Sequence, residues 1–227
     1  MRRILSFAVA LAAAMAVTGA TPATSSERPR FTLNVVHGIP GVVVDVCVDR
    51  QKAITGFEPG DVVTGVRLPE GRYRLRVTPA GQPCSEAILR ARPYLDGGRF
   101  RSYTVVANLD DAGTPNLLLF RNPTAKTGAG DARLVIRHTA DASAVTVWAN
   151  GSKLNRGRGF EWSETRRFEV PAGTYRVAVS PAGTNDPVIG PTQLTVRAGY
   201  SYQVYAWGNA AAGYRLAVIA SQVGQAH

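Results

Sequence analysis

The stretch Leu68-Pro-Glu-Gly-Arg-Tyr-Arg-Leu-Arg-Val-Thr-Pro-Ala-Gly81 returns as Val170-Pro-Ala-Gly-Thr-Tyr-Arg-Val-Ala-Val-Ser-Pro-Ala-Gly183, so the chain is a duplication. Each copy reads as a strand between two turns. Pro69 or Pro171 presets φ at the second turn position, and Gly71 or Gly173 relieves the left-handed residue that follows. Between the turns the pattern has period two. Tyr73, Leu75 and Val77 face one way and Arg72, Arg74 and Arg76 the other, while Tyr175, Val177 and Val179 alternate with Thr174, Arg176 and Ala178. Such alternation describes a half-buried antiparallel strand.

Outward from this stretch the series repeats. Phe31 to Val36 with His37, Val42 to Val48, Val62 to Leu68, Ser85 to Tyr94, Phe100 to Ala107 and Pro115 to Phe120 read as short strands punctuated by Gly, Pro and Asp turns. In Val42 to Val48, Val44, Val46 and Val48 share one face, and Val43, Asp45 and Cys47 the other. After a break the set restarts: Leu134 to Arg137 with His138 matches Leu33 to Val36 with His37 at an offset of 101, and Asn150-Gly151 is a two-residue hairpin signal. No stretch carries a helical period. The expected architecture is all-β, with two tandem immunoglobulin-like antiparallel β-sandwich domains. Its boundaries are a cleaved signal peptide over 1–20, a disordered lead-in over 21–30, a first repeat over 31–122, a linker over 123–130 and a second repeat over 131–222.

The signal peptide follows from a basic Met1-Arg-Arg3, an apolar run from Ile4 to Val17 and small residues at Thr18-Gly-Ala20. That run is short for a bilayer span and no second one follows, so no transmembrane segment is expected. The expected location is secreted, extracellular or associated with the cell wall. Cleavage removes Arg2 and Arg3 and lowers the formal charge from +10 to +8. Arg outnumbers Lys by 23 to 3, as GC-rich codon usage produces, and the charge is divided between the repeats. With no block of like charge, nucleic acid is not an expected partner. In an exported chain with two cysteines, Cys47 and Cys84 are expected to form a disulfide.

The chain resembles the domain of unknown function numbered 4397, found as tandem copies in exported proteins of GC-rich Gram-positive bacteria and others. The resemblance is carried by Val36-His-Gly-Ile-Pro-Gly-Val-Val-Val-Asp-Val-Cys-Val-Asp49, Leu68-Pro-Glu-Gly-Arg-Tyr73, Thr78-Pro-Ala-Gly81 and Asn108-Leu-Asp-Asp-Ala-Gly-Thr-Pro115 in the first copy. In the second it is carried by Arg137-His-Thr-Ala-Asp141, Trp148-Ala-Asn-Gly151, Val170-Pro-Ala-Gly-Thr-Tyr175 and Val204-Tyr-Ala-Trp-Gly208. It covers nearly all of residues 31 to 222. Cys47 stands where the family usually places an aromatic residue, and Arg50 where it usually places Gly. The resemblance implies an exported β-sandwich and brings no catalytic residues.

Catalytic arrangements are not visible. There is no Gly-x-Ser-x-Gly elbow and no Gly-rich phosphate loop opening a helix. His37 and His138 sit at equivalent strand ends, where an imidazole bonded to nearby backbone is expected. Asp110-Asp111 before Ala-Gly reads as a turn rather than a calcium cage. The expectation is a protein that is not an enzyme, with no metal and no cofactor. Its expected partner is a cell-envelope polysaccharide or a surface protein. The best lead is aromatic, since Trp148, Tyr205 and Trp207 all face outward by strand alternation. If their strands are neighbours, they form a patch that stacks on sugar rings or anchors a protein. The competing expectation is that the first repeat, the linker or a loop covers it.

Overall fold

The computed structural model describes residues 28–98, 100–155 and 158–224. The signal peptide read over 1–20 and the lead-in up to residue 27 lie outside the described residues. The first domain runs β1 (Arg30–His37), β2 (Val44–Val48), β3 (Gln51–Phe57), β4 (Val62–Pro69), β5 (Gly71–Arg72), β6 (Leu75–Pro79), β7 (Leu89–Ala91), β8 (Tyr94–Leu95), β9 (Ser102–Leu109) and β10 (Pro115–Arg121). The second runs β11 (Asp131–His138), β12 (Val145–Ala149), β13 (Ser152–Lys153), β14 (Thr165–Pro171), β15 (Gly173–Pro181), β16 (Ile189–Val196), β17 (Tyr200–Asn209) and β18 (Gly213–Gln222). A 3-10 turn at Cys84–Glu86 replaces the start of the strand expected from Ser85, because Cys84 is drawn onto the sheet by its disulfide.

Each domain is a two-sheet sandwich, with orders β10-β9-β1-β4 and β3-β2-β6-β7 in the first and β14-β11-β17-β18 and β13-β12-β15-β16 in the second. Most pairings are antiparallel. The exceptions are equivalent, β1 with β9 and β11 with β17, each a parallel pair in the middle of its sheet.

The repeated Pro-x-Gly-x-Tyr stretch is where the chain crosses between sheets. β4 and β14 belong to one sheet of their domain, β6 and β15 to the other, and the corner falls at Pro69-Glu-Gly71 and Pro171-Ala-Gly173. The tyrosine four residues after the proline locks it: the Tyr73 hydroxyl donates to the Pro69 carbonyl, and the Tyr175 hydroxyl to the Pro171 carbonyl at 2.7 Å. A hydroxyl bonded this way contributes about 1 kcal/mol net. Beyond the corner, Leu75 and Val77 enter the first core and Val179 the second.

The two sandwiches stack face to face. The first core lies between the β1 and β2 sheets, with Leu33, Val35, Val44, Val46, Val77 and Val105. The second lies between the β11 and β12 sheets, with Leu134, Ile136, Val147, Val179 and Tyr202. A third apolar layer joins the domains: Val36 and Val106, with the flanking Val62 and Phe120, meet Tyr205, Trp207, Ala217 and Ile219. The molecule is therefore four sheets deep, and its two outermost sheets are those of β2 and β12.

Candidate binding surface

The three aromatic side chains read as one outward patch are not brought together. Tyr205 and Trp207 do share the face of β17 opposite Tyr202 and Ala206, as the alternation requires. That face is the seam between domains, and Trp207 is 3% exposed. Trp148 lies on the other sheet, half-buried, with its indole N–H donating to Ser180 Oγ at 3.0 Å and Lys153 Nζ 5.0 Å from the ring. The aromatic patch is corrected accordingly, because the first domain covers two of its three members. Trp162 also turns to the seam, its indole N–H donating to the Leu109 carbonyl at 3.2 Å.

Around Tyr205 the seam is polar and organised by a buried arginine. Arg137, on the outer face of β11, donates to the Tyr205 hydroxyl, to Asn122 Oδ1 at 2.9 Å and to the Arg121 carbonyl at 3.0 Å, and its guanidinium lies 4.4 Å from the Phe120 ring centre. Burial pulls the Arg137 pKa below the ordinary arginine value, partly opposed by Tyr205. Burial likewise raises the Tyr205 pKa, and Arg137 opposes that rise. Two positions before Arg137 on the same face, Val135 is fully buried, and two further back Arg133 donates to the Ala125 and Lys126 carbonyls at 2.8 and 3.1 Å. The residues joining the domains are thus held on β11 by two guanidinium groups, at the end of β10 and in the linker.

Cys47 and Cys84 are joined in a disulfide. It ties the 3-10 turn across the outer face of the β2 sheet, beside Asp45, whose carboxylate accepts from Lys52 Nζ at 2.6 Å and from the Gly56 and Gly81 amides at 2.9 and 3.0 Å. Burial works against ionisation of Asp45, but the Lys52 ammonium and the two amides outweigh it and hold its pKa below the usual carboxylate value. In the second domain the residue aligned with Cys47 is Trp148. There Ser180, which accepts the indole N–H, donates to the Thr184 carbonyl at 3.0 Å, so a hydrogen-bonded tryptophan stands where the first domain has a covalent tie.

The covered outer face of the β2 sheet continues into an exposed one. Arg76 pairs with Arg90 across β6 and β7, Leu75 with Ala91, and Arg72 with Tyr94 across β5 and β8. Tyr73 N–H donates to the Pro93 carbonyl at 3.0 Å between these pairs, so the register runs unbroken and sets Arg74 opposite Arg92. Leu75, Leu89 and Leu95 are buried on the far side. Alternation therefore turns Arg72, Arg74, Arg76, Arg90, Arg92 and Tyr94 to solvent. None of the five arginines forms an ion pair among the described residues.

The remaining candidates are structural. His37 Nε2 bonds the Val42 carbonyl at 2.7 Å and His138 Nε2 the Ser143 carbonyl at 3.0 Å, each five residues on, pinning the loop that follows β1 or β11. Burial lowers both pKa values. Asp110 Oδ1 accepts the Ala112 and Thr114 amides at 3.0 and 2.8 Å, which is a side-chain-stabilised turn. A small apolar cavity in the second core is walled by Leu134, Ile136, Val145 and Phe160. Among the described residues no group of three or more His, Cys, Asp or Glu could hold a metal ion, and no helix is long and apolar enough to cross a membrane.

These features define an all-β protein of two docked, duplicated sandwiches, one carrying a disulfide and a cationic face whose arginines form no ion pair among the described residues. The family described as Domain of unknown function (DUF4397) matches residues 31–148 and 135–226, and the chain belongs to that family. Among solved structures it is similar to the Bacillus anthracis TIE protein, at 16% identity and a TM-score of 0.24, over 80% of this chain and 34% of that one. The chain thus spans about a third of the TIE chain's length. It is also similar to a provisionally assigned cell adhesion protein from Bacteroides eggerthii DSM 20697, at 9% identity and a TM-score of 0.23, over 88% of this chain and 98% of that one. No curated protein sequence matches the chain.

Proposed function

We propose that the mature protein is an exported, non-enzymatic binding or adhesion module that works at or beyond the cell envelope, either wall-associated or released. Its partner on this reading is a cell-envelope polymer or a surface protein. The observation that carries the proposal is the exposed outer face of the first domain, where five arginines that form no ion pair among the described residues stand on a sheet stiffened by the Cys47–Cys84 disulfide. A disulfide belongs to oxidising compartments, in keeping with the signal-type residues 1–20. The buried seam supports the same reading, since it makes two small sandwiches one body whose outer sheets stay presented in fixed relation. Sugar stacking on Tyr205 and Trp207 forms no part of it, both being covered.

The test is co-sedimentation of residues 21–227, folded and oxidised, with washed cell envelopes of a Gram-positive bacterium at low and high salt. Retention at low salt that falls as salt rises is the expected result, because exposed charge pairs are screened within about 10 Å at 0.1 M salt. A chain that stays wholly in the supernatant at every salt concentration overturns the envelope-binding reading.

A further inference from the structure

Cross-strand positions that face each other on a sheet interact directly, and like charges set opposite one another destabilise the pair. The first domain nevertheless places Arg76 opposite Arg90 and, through the unbroken register, Arg74 opposite Arg92, with Arg72 opposite Tyr94. The second domain shows that the fold does not require this. Its corresponding strands pair Thr174 with Thr195, their hydroxyls 2.9 Å apart, and Arg176 with Gln193, while Ala178 stands in the place of Arg76. The same ribbon is thus built once with compatible pairs and once with repelling ones, and repulsion kept without structural need points to a ligand that relieves it.

Two of the guanidinium groups are held in place. Arg76 Nη1 donates to the Cys84 carbonyl at 3.4 Å and Arg90 Nη2 to the Ser85 carbonyl at 2.9 Å, so the disulfide-tied turn anchors them by one nitrogen each. The other N–H groups of each planar fork stay available for a carboxylate or phosphate. At the far end of the ladder Tyr94 is 55% exposed, an unusual outlay of aromatic surface beside cations. Residues two apart on a strand are about 6.8 Å apart. The five arginines therefore form a strip two steps long and two strands wide, larger than one small anion can occupy.

We propose that this ladder binds a linear anionic polysaccharide, laid along the ribbon with its carboxylates on the arginine forks and one sugar ring against Tyr94. The proposal rests on the binding-module reading above and names the ligand class of that surface. The carboxylated sugar chain is favoured over a simple polyanion by Tyr94, whose ring offers a sugar face an apolar platform and offers phosphate nothing. Bidentate guanidinium–carboxylate bonding supplies the orientation.

The experiment uses the full mature chain, 21–227, oxidised, and measures binding to polygalacturonate, to inorganic polyphosphate of similar length and to neutral dextran. Wild type is compared with Arg74→Gln/Arg92→Gln and with Tyr94→Ser. The control is Arg176→Gln/Arg197→Gln, which removes the same charge from exposed positions of the second domain. All sites are exposed, and thermal unfolding checks that each variant is folded. The expected result is salt-sensitive binding to polygalacturonate, weakened about tenfold by the ladder pair and little by the control. Tyr94→Ser is expected to weaken polygalacturonate and leave polyphosphate unchanged. Equal weakening by ladder and control pairs overturns the site, since net charge alone then governs attraction. Polyphosphate bound as tightly as polygalacturonate, with no effect of Tyr94→Ser, overturns the sugar-chain assignment. Wild type that ignores polygalacturonate overturns the ligand class but not the binding-module reading, which the envelope sedimentation tests separately.

Discussion

Trp207 of the second domain is seated on Gly60 of the first, so closely that a Cβ added to Gly60 would lie 2.7 Å from the indole Cζ2. Gly38 forms the other side of the seat, where an added Cβ would come within 3.0 Å of Trp207 Cβ. Arg215 lies over the ring at 5.5 Å. The glycines of the His37-Gly-Ile-Pro and Glu58-Pro-Gly-Asp turns thus serve twice, as turn residues within one domain and as a recess for a side chain of the other.

Trp207→Ala removes the largest apolar group from the seam and is expected to cost about 3–5 kcal/mol, in the range of buried aromatic truncations. Because the lost contacts lie between domains, calorimetry of the variant should resolve two unfolding transitions where wild type shows one. Gly60→Ala, which meets the ring and has φ +90°, should produce the same separation. A single transition at the wild-type temperature in both variants contradicts the docked seam.

Arg137 and Arg133 hold the chain between the domains by its carbonyl groups. Arg137→Met keeps an unbranched apolar stem but removes the guanidinium donors to the Tyr205 hydroxyl, Asn122 Oδ1 and the Arg121 carbonyl, a loss of about 2–4 kcal/mol for buried polar groups deprived of a charged partner. Tryptic cleavage after Lys126 reads the consequence. It should be slow in wild type and accelerate in Arg137→Met and in Arg133→Gln, and unchanged cleavage in both would mean that the clamps do not restrain the linker.

The Cys47–Cys84 bond closes a loop of sequence separation 37. The chain-entropy account assigns such a loop about 4 kcal/mol. Cys47→Ser/Cys84→Ser should lower the denaturant midpoint of the first domain accordingly, and it should also weaken envelope retention, because the turn that anchors Arg76 and Arg90 is released. Retention unaffected in a folded double-serine variant would separate the disulfide from the binding face.

Stability is expected to fall in acid, in two stages. His37 and His138 have pKa values lowered by burial from the ordinary 6.5, so the unfolded chain takes up protons below that pH before the folded one does, and stability declines with falling pH from there. Asp45, whose pKa lies below the ordinary 3.8, favours the folded state above that pH and withdraws its contribution as pH falls through its folded value. Denaturant midpoints measured from pH 8 to 3 should show the first decline flattened by His37→Gln/His138→Gln and the second by Asp45→Asn. A midpoint constant from pH 8 to 5 contradicts the first assignment.

What could be read from residues alone was set by alternation. Tyr73, Leu75 and Val77 against Arg72, Arg74 and Arg76 is a local pattern, and the burial of the two sets follows it. Tyr205 and Trp207 also point where alternation sends them, away from Tyr202 and Ala206. What covers them is not local: it depends on a sheet of the other domain, distant in sequence, through Gly38 and Gly60, which by themselves signal only turns. The central parallel pairs of β1 with β9 and β11 with β17 were illegible for the same reason, since pairing partners distant in sequence leave no period. The arginine ladder was half legible. One rail, Arg72, Arg74 and Arg76, shows in the sequence; the other, Arg90, Arg92 and Tyr94, needs the register between strands separated by the disulfide-tied turn.

Hydrogen exchange of the mature chain with and without polygalacturonate tests most directly the claim that this protein binds through the outer face of its first domain and not through its aromatic strand. New protection is expected over residues 71–76 and 89–95, with residues 200–209 slow to exchange in both states because the first domain covers them. Protection that instead arises over 200–209 on adding the polymer, with 71–76 and 89–95 unchanged, would contradict it.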